Sequence, residues 1–183
     1  TYSGAAGKQS LLAAEHRFAA GTAATFDATG ALTNASSASE RSEYGYDTLG
    51  RRITVNEFAL GIGGSATRTT TTTYDAITGG VTRVESPEGA VHHDYDAATG
   101  RLVRTYTTAN DTRYGYDPLG RLTSTTAAAL NGQTPTSGAI SYGYDKAGNL
   151  TARSVTTVDA EGAPSTPIAT VFTYDHMNQL KQT

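Results

Sequence analysis

The sequence predicts an all-β protein built as an array of antiparallel hairpins, and three observations carry that prediction. First, an aromatic-Asp pair recurs at Phe26-Asp27, Tyr46-Asp47, Tyr74-Asp75, Tyr95-Asp96, Tyr116-Asp117, Tyr144-Asp145 and Tyr174-Asp175, with Asp-to-Asp steps of 20, 28, 21, 21, 28 and 30 residues. A step of about 20 to 21 residues, lengthened by insertions, is the mark of a repeat array. Second, every pair is followed within four residues by Gly, or once by Asn, as a tight turn requires. Third, the chain is rich in Thr, Tyr, Val and Gly and has no Trp, a palette suited to strands.

The clearest unit is Tyr114-Gly-Tyr-Asp-Pro-Leu-Gly-Arg-Leu122. Tyr114 and Tyr116 alternate, as side chains on one face of a strand do. Asp117 opens a type I turn, where its carboxylate can accept from backbone N–H groups ahead of it. Pro118 presets φ at the second place, and Gly120 takes the positive φ that follows such a turn in a bulged hairpin. Arg121 and Leu122 begin the return strand.

Taken in order, residues 1–24 are the least regular and form a degenerate N-terminal region before the array proper, 25–183. Ser10-Leu-Leu-Ala-Ala-Glu-His-Arg-Phe18 reads either as a short helix capped by Ser10 or as a strand leading into a weak first repeat at Phe26-Asp-Ala-Thr-Gly30. The strand is favoured because every later repeat has one there. Repeat two (Tyr44, Tyr46, Asp47, Gly50, Arg51) is regular until Arg52, which stands where the reference unit has Leu122. Gly61 to Ala66 reads as an inserted loop. Thr69 to Thr73 then runs as a β-branched strand into Tyr74. The turns Asp75 to Gly79 and Asp96 to Gly100, the latter followed by Arg101 and Leu102 after Tyr95, carry one extra residue and call for a four-residue loop. Tyr142, Tyr144, Asp145, Gly148 and Leu150 restore the short turn. Its neighbours, Asn131 to Gly138 and Asp159 to Pro167, read as loop insertions. In the last unit, Tyr174 and Asp175 are followed by Asn178 where Gly belongs, and Asn is the next most tolerant residue there. Gly45, Gly115 and Gly143 lie opposite the paired tyrosines. A strand glycine is explained by a close approach or a bend, or else it fills a solvent face. A curved sheet with aromatics stacked from hairpin to hairpin would use both features.

Bulk properties narrow the function. A length of 183 residues suffices for one domain with a core, or two small ones. The chain begins at Thr1 and its only Met is Met177, which reads as a piece of a longer protein. A net charge of −3, with 17% charged residues, implies no basic face for nucleic acid. With no Cys there is neither a disulfide framework nor cysteine-ligated zinc. No apolar run in this stretch approaches the length of a membrane span.

Tyr-x-Tyr-Asp-x-x-Gly-Arg-Leu at this spacing resembles the YD repeat of Rhs proteins, teneurins and the B/C components of insecticidal toxin complexes. It is carried by Tyr44 to Arg51, Tyr95 to Leu102, Tyr114 to Leu122 and Tyr142 to Leu150, with weaker copies at Phe26, Tyr74 and Tyr174. The resemblance implies a hairpin strip that forms a curved, open segment of a large hollow β-shell. In Rhs and toxin-complex proteins such a shell encloses a C-terminal toxic polypeptide, whereas in teneurins it belongs to an extracellular adhesion structure. The expected role is therefore a non-catalytic container wall, secreted or at the cell surface. Its partners would be neighbouring repeats and an enclosed effector of the same polypeptide. The alternative is a cell-surface adhesion module that binds glycans. Rhs shells close with an Asp-Pro-x-Gly autoproteolytic segment. Asp117-Pro-Leu-Gly120 matches those letters but sits inside an ordinary repeat and reads as a turn.

No residue set suggests catalysis, a metal or a cofactor. His92 and His93 are adjacent on a strand and point to opposite faces, and His16 and His176 stand alone. The aspartates lack calcium-loop spacing. Ser141 lacks the first Gly of a nucleophile elbow, and Gly61-Ile-Gly-Gly64 lacks the ending of a phosphate loop. An exposed tyrosine ladder could stack on sugars, or it could be the packed face of the sheet with each hydroxyl reaching a wetter edge. Asn34, Asn110 and Asn149 each begin an Asn-x-Ser/Thr sequon.

Overall fold

The structure, a computed structural model, describes residues 11–59, 65–128, 138–159 and 163–182. Ser10, residues 61–64 and 131–137 of two expected loops, and residues 160–162 of the third lie outside the described residues. The strands in chain order are β1 (Ala14–Arg17), β2 (Glu40–Tyr46), β3 (Arg52–Ala59), β4 (Arg68–Tyr74), β5 (Val81–Ser86), β6 (Gly89–Tyr95) and β7 (Leu102–Tyr106). They continue with β8 (Asp111–Tyr116), β9 (Leu122–Ala127), β10 (Ala139–Tyr144), β11 (Leu150–Thr156), β12 (Ile168–Val171), β13 (Thr173–Tyr174) and β14 (Leu180–Gln182). Among the described residues there is no α-helix, only a 3₁₀ turn at Ala35–Ser37. Strands β1 to β12 form an open antiparallel sheet in chain order, and β13 pairs with β14 separately.

The chain divides into two compact units, Thr1–Ala90 and Val91–Thr183. In the first, β1 pairs with β2 (Ala14 opposite Glu43), β2 with β3 (Gly45 opposite Thr54), β3 with β4 and β4 with β5. In the second, β7 to β12 pair in sequence, with Gly115 opposite Ser124 and Gly143 opposite Ala152. Each hairpin closed by an Asp turn slips register by one residue at its aromatic, as at Gly45/Tyr46 and Gly115/Tyr116. In the short turns that slip is the bulge expected of a three-residue loop ending in a left-handed residue, and the four-residue loops at Asp75 and Asp96 show it as well.

Three expectations need correction. The anticipated core is not there: among the described residues the buried apolar side chains are Ala14 and Ala38, and no large side chain is fully buried. Chain length permits a core, but among the described residues the hairpin strip shows none, because most strand side chains stay at least partly wet. The sheet is held instead by its ladder hydrogen bonds and by contacts between neighbouring side chains.

The segment after β1 differs too. His16 and its neighbours form a strand, but that strand pairs with β2. Phe26-Asp27 then builds a stub, a single bridge between Phe26 and Leu32 closed by Gly30 at φ +82, within the connection from β1 to β2. Its turn chemistry matches that of the other hairpins, with Asp27 Oδ1 accepting from Thr29 N and Ala31 N. Its flanks, Ala23-Ala-Thr25 and Thr33-Asn-Ala35, lack the β-branched and aromatic run that would extend it. A second stub sits in the connection after β11, with Val158 bridging Pro164 and Ser165 N bonding Thr157 O.

Third, the tyrosines do not stack on one another. His92 on Tyr106, with centroids 4.8 Å apart, is the aromatic pair among the described residues. Arginines lie between the tyrosines instead.

Candidate functional site

The feature that recurs along the array is a joint between hairpins, and it begins in the turn. In the short turns the N–H of Gly50, Gly120, Gly148 and Asn178 bonds the carbonyl of the Asp three residues earlier, at 2.9–3.2 Å. In the long turns Gly79 and Gly100 reach back four residues, to Asp75 and Asp96, at 3.1 and 2.8 Å. All six closing residues have positive φ, from +60° at Asn178 to +93° at Gly148. Asn178 is the sole non-glycine in that region among the described residues, and a side-chain amide tolerates it best.

The Asp side chain then fixes the loop. Asp117 Oδ1 accepts from Arg121 N at 2.9 Å, and its Oδ2 accepts from Arg121 Nε at 2.7 Å. Asp47 and Arg51 repeat this pairing, and Asn149 takes the arginine's place at Asp145. In the long turns the partner is a threonine, Thr78 at Asp75 and Thr99 at Asp96, each giving its N–H and its hydroxyl. Asp175 accepts from Met177 N and Gln179 N. These bonds hold the carboxyl of Asp117 below the usual carboxylate range through Arg121, of Asp145 through Asn149, of Asp75 through Thr78 and of Asp96 through Thr99.

From the turn, arginine reaches forward to the next hairpin. The Arg51 guanidinium lies 4.5 Å from the Tyr74 ring, Arg121 4.7 Å from Tyr144, and Arg101 5.9 Å from Tyr116. Arg121 also donates to the carbonyl of Asp145 at 2.9 Å. Tyrosine reaches backward: the hydroxyl of Tyr74 donates to Arg52 O, Tyr116 to Leu102 O, Tyr144 to Leu122 O and Tyr174 to Leu150 O, all at 2.8–2.9 Å. Tyr46 makes the same bond to Leu12 O at 2.7 Å, so Leu12 stands where a preceding return strand begins. Tyr46, Tyr74, Tyr116, Tyr144 and Tyr174 are thus each bolted to the strand before their own hairpin. The hydroxyls meet main-chain carbonyls where a wetter edge had been expected. The partner lies 14 to 34 residues earlier in the chain, so no local pattern reveals it.

The strand glycines answer to close approach. A Cβ on Gly45 would run into the Thr54 hydroxyl, and one on Gly115 into that of Ser124. At Gly143 it would meet Ala152 Cβ at 3.4 Å, which is tight but not blocked. Filling a solvent face does not describe these positions. The aliphatic residues opposite each aromatic complete the unit: Leu102 pairs with Tyr95, Leu122 with Tyr116 and Leu150 with Tyr144, while Arg52 pairs with Tyr46 and Val81 with Tyr74.

One cluster escaped the sequence. Asp111, 4% exposed, receives Arg104 through both carboxylate oxygens (Nε to Oδ1 3.0 Å, Nη2 to Oδ2 2.9 Å), with Arg113 at 3.6 Å and Asp94 at 3.5 Å from Arg104. The Arg104 hydrogen bonds hold the Asp111 carboxyl below its usual range. Arg104 also lies 4.0 Å from the Tyr106 ring. A charge pattern of Asp, Arg, Asp, Arg over strands of different hairpins carries no local signature. His92 pairs with Tyr106, whereas His93 Nδ1 lies 3.1 Å from the Thr105 hydroxyl, so the two rings face opposite ways. Of the sequons, the Asn34 and Asn149 amides are engaged, with Ala23 O and with Asp145 and Asn178 respectively.

The recurrence of this joint around the turns of Asp96 and Asp117 is where the family comparison falls. Residues 95–129 match the family model described as RHS Repeat. That Rhs-repeat span takes in two turns and the joint between Arg101 and Tyr116. No curated protein matches the chain. Among solved structures, the chain is similar to a crystal structure of TcdB2-TccC3-Cdc42, with a TM-score of 0.58 at 23% identity over 86% of the chain. It is also similar to a Photorhabdus luminescens Tc holotoxin pore carrying a TccC3 substitution (0.59, 22%, 86%) and to TcdB2-TccC3 without its hypervariable C-terminal region (0.59, 23%, 86%). The chain spans only 8 to 9% of the length of those proteins. The fold is that of a segment of those Tc proteins.

Proposed function

We propose that this chain is a non-catalytic stretch of wall in a larger Rhs-type shell that encloses a C-terminal effector of the same polypeptide, secreted or displayed at the cell surface. The observation that carries the reading is the joint: arginine reaches forward and tyrosine backward between successive hairpins, with no large side chain fully buried among the described residues. Such a strip gains stability from each neighbour it acquires, as in other quasi-one-dimensional repeats, and can be extended without limit. A sheet one layer thick, with both faces free, suits a partition better than a catalytic scaffold. The signature residues Tyr44, Tyr114 and Tyr142 would then serve the sheet face, and Tyr46, Tyr74, Tyr95, Tyr116, Tyr144 and Tyr174 the joints. The region 1–24 would lead into the array of 25–183.

The glycan-binding reading has less to rest on, since five tyrosine hydroxyls are already spent on carbonyls. The test is limited proteolysis of the parent polypeptide. Its C-terminal region should resist cleavage while the repeats are folded, and lose protection when joints are broken by Tyr116→Phe, Tyr144→Phe and Arg121→Met together. A C-terminal region cleaved equally fast in both forms would sink the enclosure reading.

A further inference from the structure

Two departures from the repeat meet at one joint. The residue after the closing glycine is arginine at Arg51, Arg101 and Arg121, but in the turn of Asp145 it is Asn149. The closing residue is glycine at Gly50, Gly79, Gly100, Gly120 and Gly148, but in the last turn it is Asn178, held at φ +60°. Glycine takes that backbone region without steric cost, and a residue with a Cβ does not. Tolerance explains how Asn can stand at 178. It does not explain what Asn gains there over Gly.

The two asparagines, 29 residues apart in the chain, are hydrogen-bonded to each other. The side-chain amide of Asn149 carries two N–H groups. From Nδ2 it donates to Asp145 Oδ2 of its own turn at 2.9 Å and to Asn178 Oδ1 of the next turn at 3.1 Å. Arg121 makes the same two reaches one joint earlier. Its Nε donates to Asp117 Oδ2 at 2.7 Å, and its Nη1 to the main-chain carbonyl of Asp145 at 2.9 Å. Asn149 thus reaches backward and forward as arginine does, with a shorter side chain, and the acceptor comes out to meet it on the side chain of Asn178. A glycine at 178 would withdraw that acceptor. Where arginine stands, the closing place asks for no side chain. A Cβ on Gly120 would run into the Arg101 guanidinium, and one on Gly148 would have nothing within 4 Å.

We propose that Asn149 and Asn178 act together as a neighbour-selecting lock: a hairpin closed by Asn docks on a turn followed by Asn, and a hairpin closed by Gly on a turn followed by Arg. Both are positioning residues, and successive hairpins of the strip are therefore not interchangeable. The lock is independent of whether the longer polypeptide encloses anything. Docking of the last hairpin is read by the Phe172 amide, which donates to Thr151 O across the same joint at 2.9 Å. In the native chain Asn178→Gly should speed exchange of that amide about fivefold, the worth of one hydrogen bond. In an Asn149→Arg background, where arginine can hold Asp145 as Arg121 holds Asp117, the same substitution should leave the rate unchanged or slow it. Equal effects of Asn178→Gly in the two backgrounds overturn the proposal. Moving the lock one joint earlier gives a second, independent reading. Gly148→Asn alone should lower the melting temperature, because it places a Cβ at φ +93°. Combined with Arg121→Asn it should raise the melting temperature, recovering at least half of what Arg121→Asn loses. A Gly148→Asn substitution that lowers the melting temperature in both backgrounds overturns the proposal as well.

Discussion

The joint between hairpins makes a differential prediction within one pair of tyrosines. Tyr142 and Tyr144 lie two residues apart on β10, yet only Tyr144 donates its hydroxyl to the preceding return strand, at Leu122 O (2.9 Å). Tyr142 makes no such bond among the described residues. Tyr144→Phe keeps the ring and removes one half-buried hydrogen bond, a loss of about 0.5–1.5 kcal/mol. In a chain of this length about 1 kcal/mol lowers the melting temperature by about 2–4 °C. Tyr142→Phe should fall within about 0.5 kcal/mol of the native chain. Arg121→Met goes further, because that side chain holds Asp117 at 2.7 Å, caps Asp145 O at 2.9 Å and covers the Tyr144 ring at 4.7 Å. The double variant Arg121→Met, Tyr144→Leu, set against its two single variants, should then show coupling of about 0.5–1 kcal/mol, the worth of a partly exposed cation over a ring. Urea unfolding with a tyrosine-independent probe reads them all. Equal effects of Tyr142→Phe and Tyr144→Phe, or zero coupling, would refute the joint as the source of stability.

Other outcomes follow from the same geometry. Gly120→Val, forced to φ +85 beside the Arg101 guanidinium, should cost about 1–3 kcal/mol in urea unfolding. Gly115→Ala should destabilise more than Gly143→Ala, and Ser124→Ala should restore most of the loss, since the obstacle is the Ser124 hydroxyl. Asp111→Asn removes the charged partner of Arg104 and should cost about 1.5–3 kcal/mol, visible as early amide exchange in β7 and β8. On acidification, Asp75, Asp96, Asp117 and Asp145 have folded values depressed below the ordinary 3.8, so their contribution is complete above that value and is lost as pH falls through the lower folded values. Melting temperature should therefore be flat above about pH 5 and drop steeply below about pH 4.

What could be read in the sequence was local chemistry. Asp117, Pro118 and Gly120 dictate a turn by their own backbone preferences, and Asn178 was readable because an exception with the same tolerance supports the rule. The four-residue loops at Asp75 and Asp96 followed from one added residue. What could not be read was anything decided by a neighbour. Phe26-Asp27 has the turn letters of a full repeat, yet whether it grows into strands depends on flanks that are too poor in β-formers. The destination of the Tyr144 hydroxyl lies on another hairpin. Asp111 looks like any loop carboxylate until Arg104 folds over it. Gly115 was legible as unusual, but the choice between an open face and a close approach waited on which residue stood opposite.

The loops of these hairpins differ in kind. Where an Asp turn closes a hairpin, three or four residues are all the geometry admits. Where a return strand runs on to the next outgoing strand, the linking stretch ranges from residues 87–88 to residues 18–39, the latter with its own stub. Insertions are therefore absorbed at the connections and refused at the turns. For anyone wishing to graft a tag, a reporter or a recognition peptide onto such a strip, the sites are already chosen: the connections are permissive ports, and the turns are not.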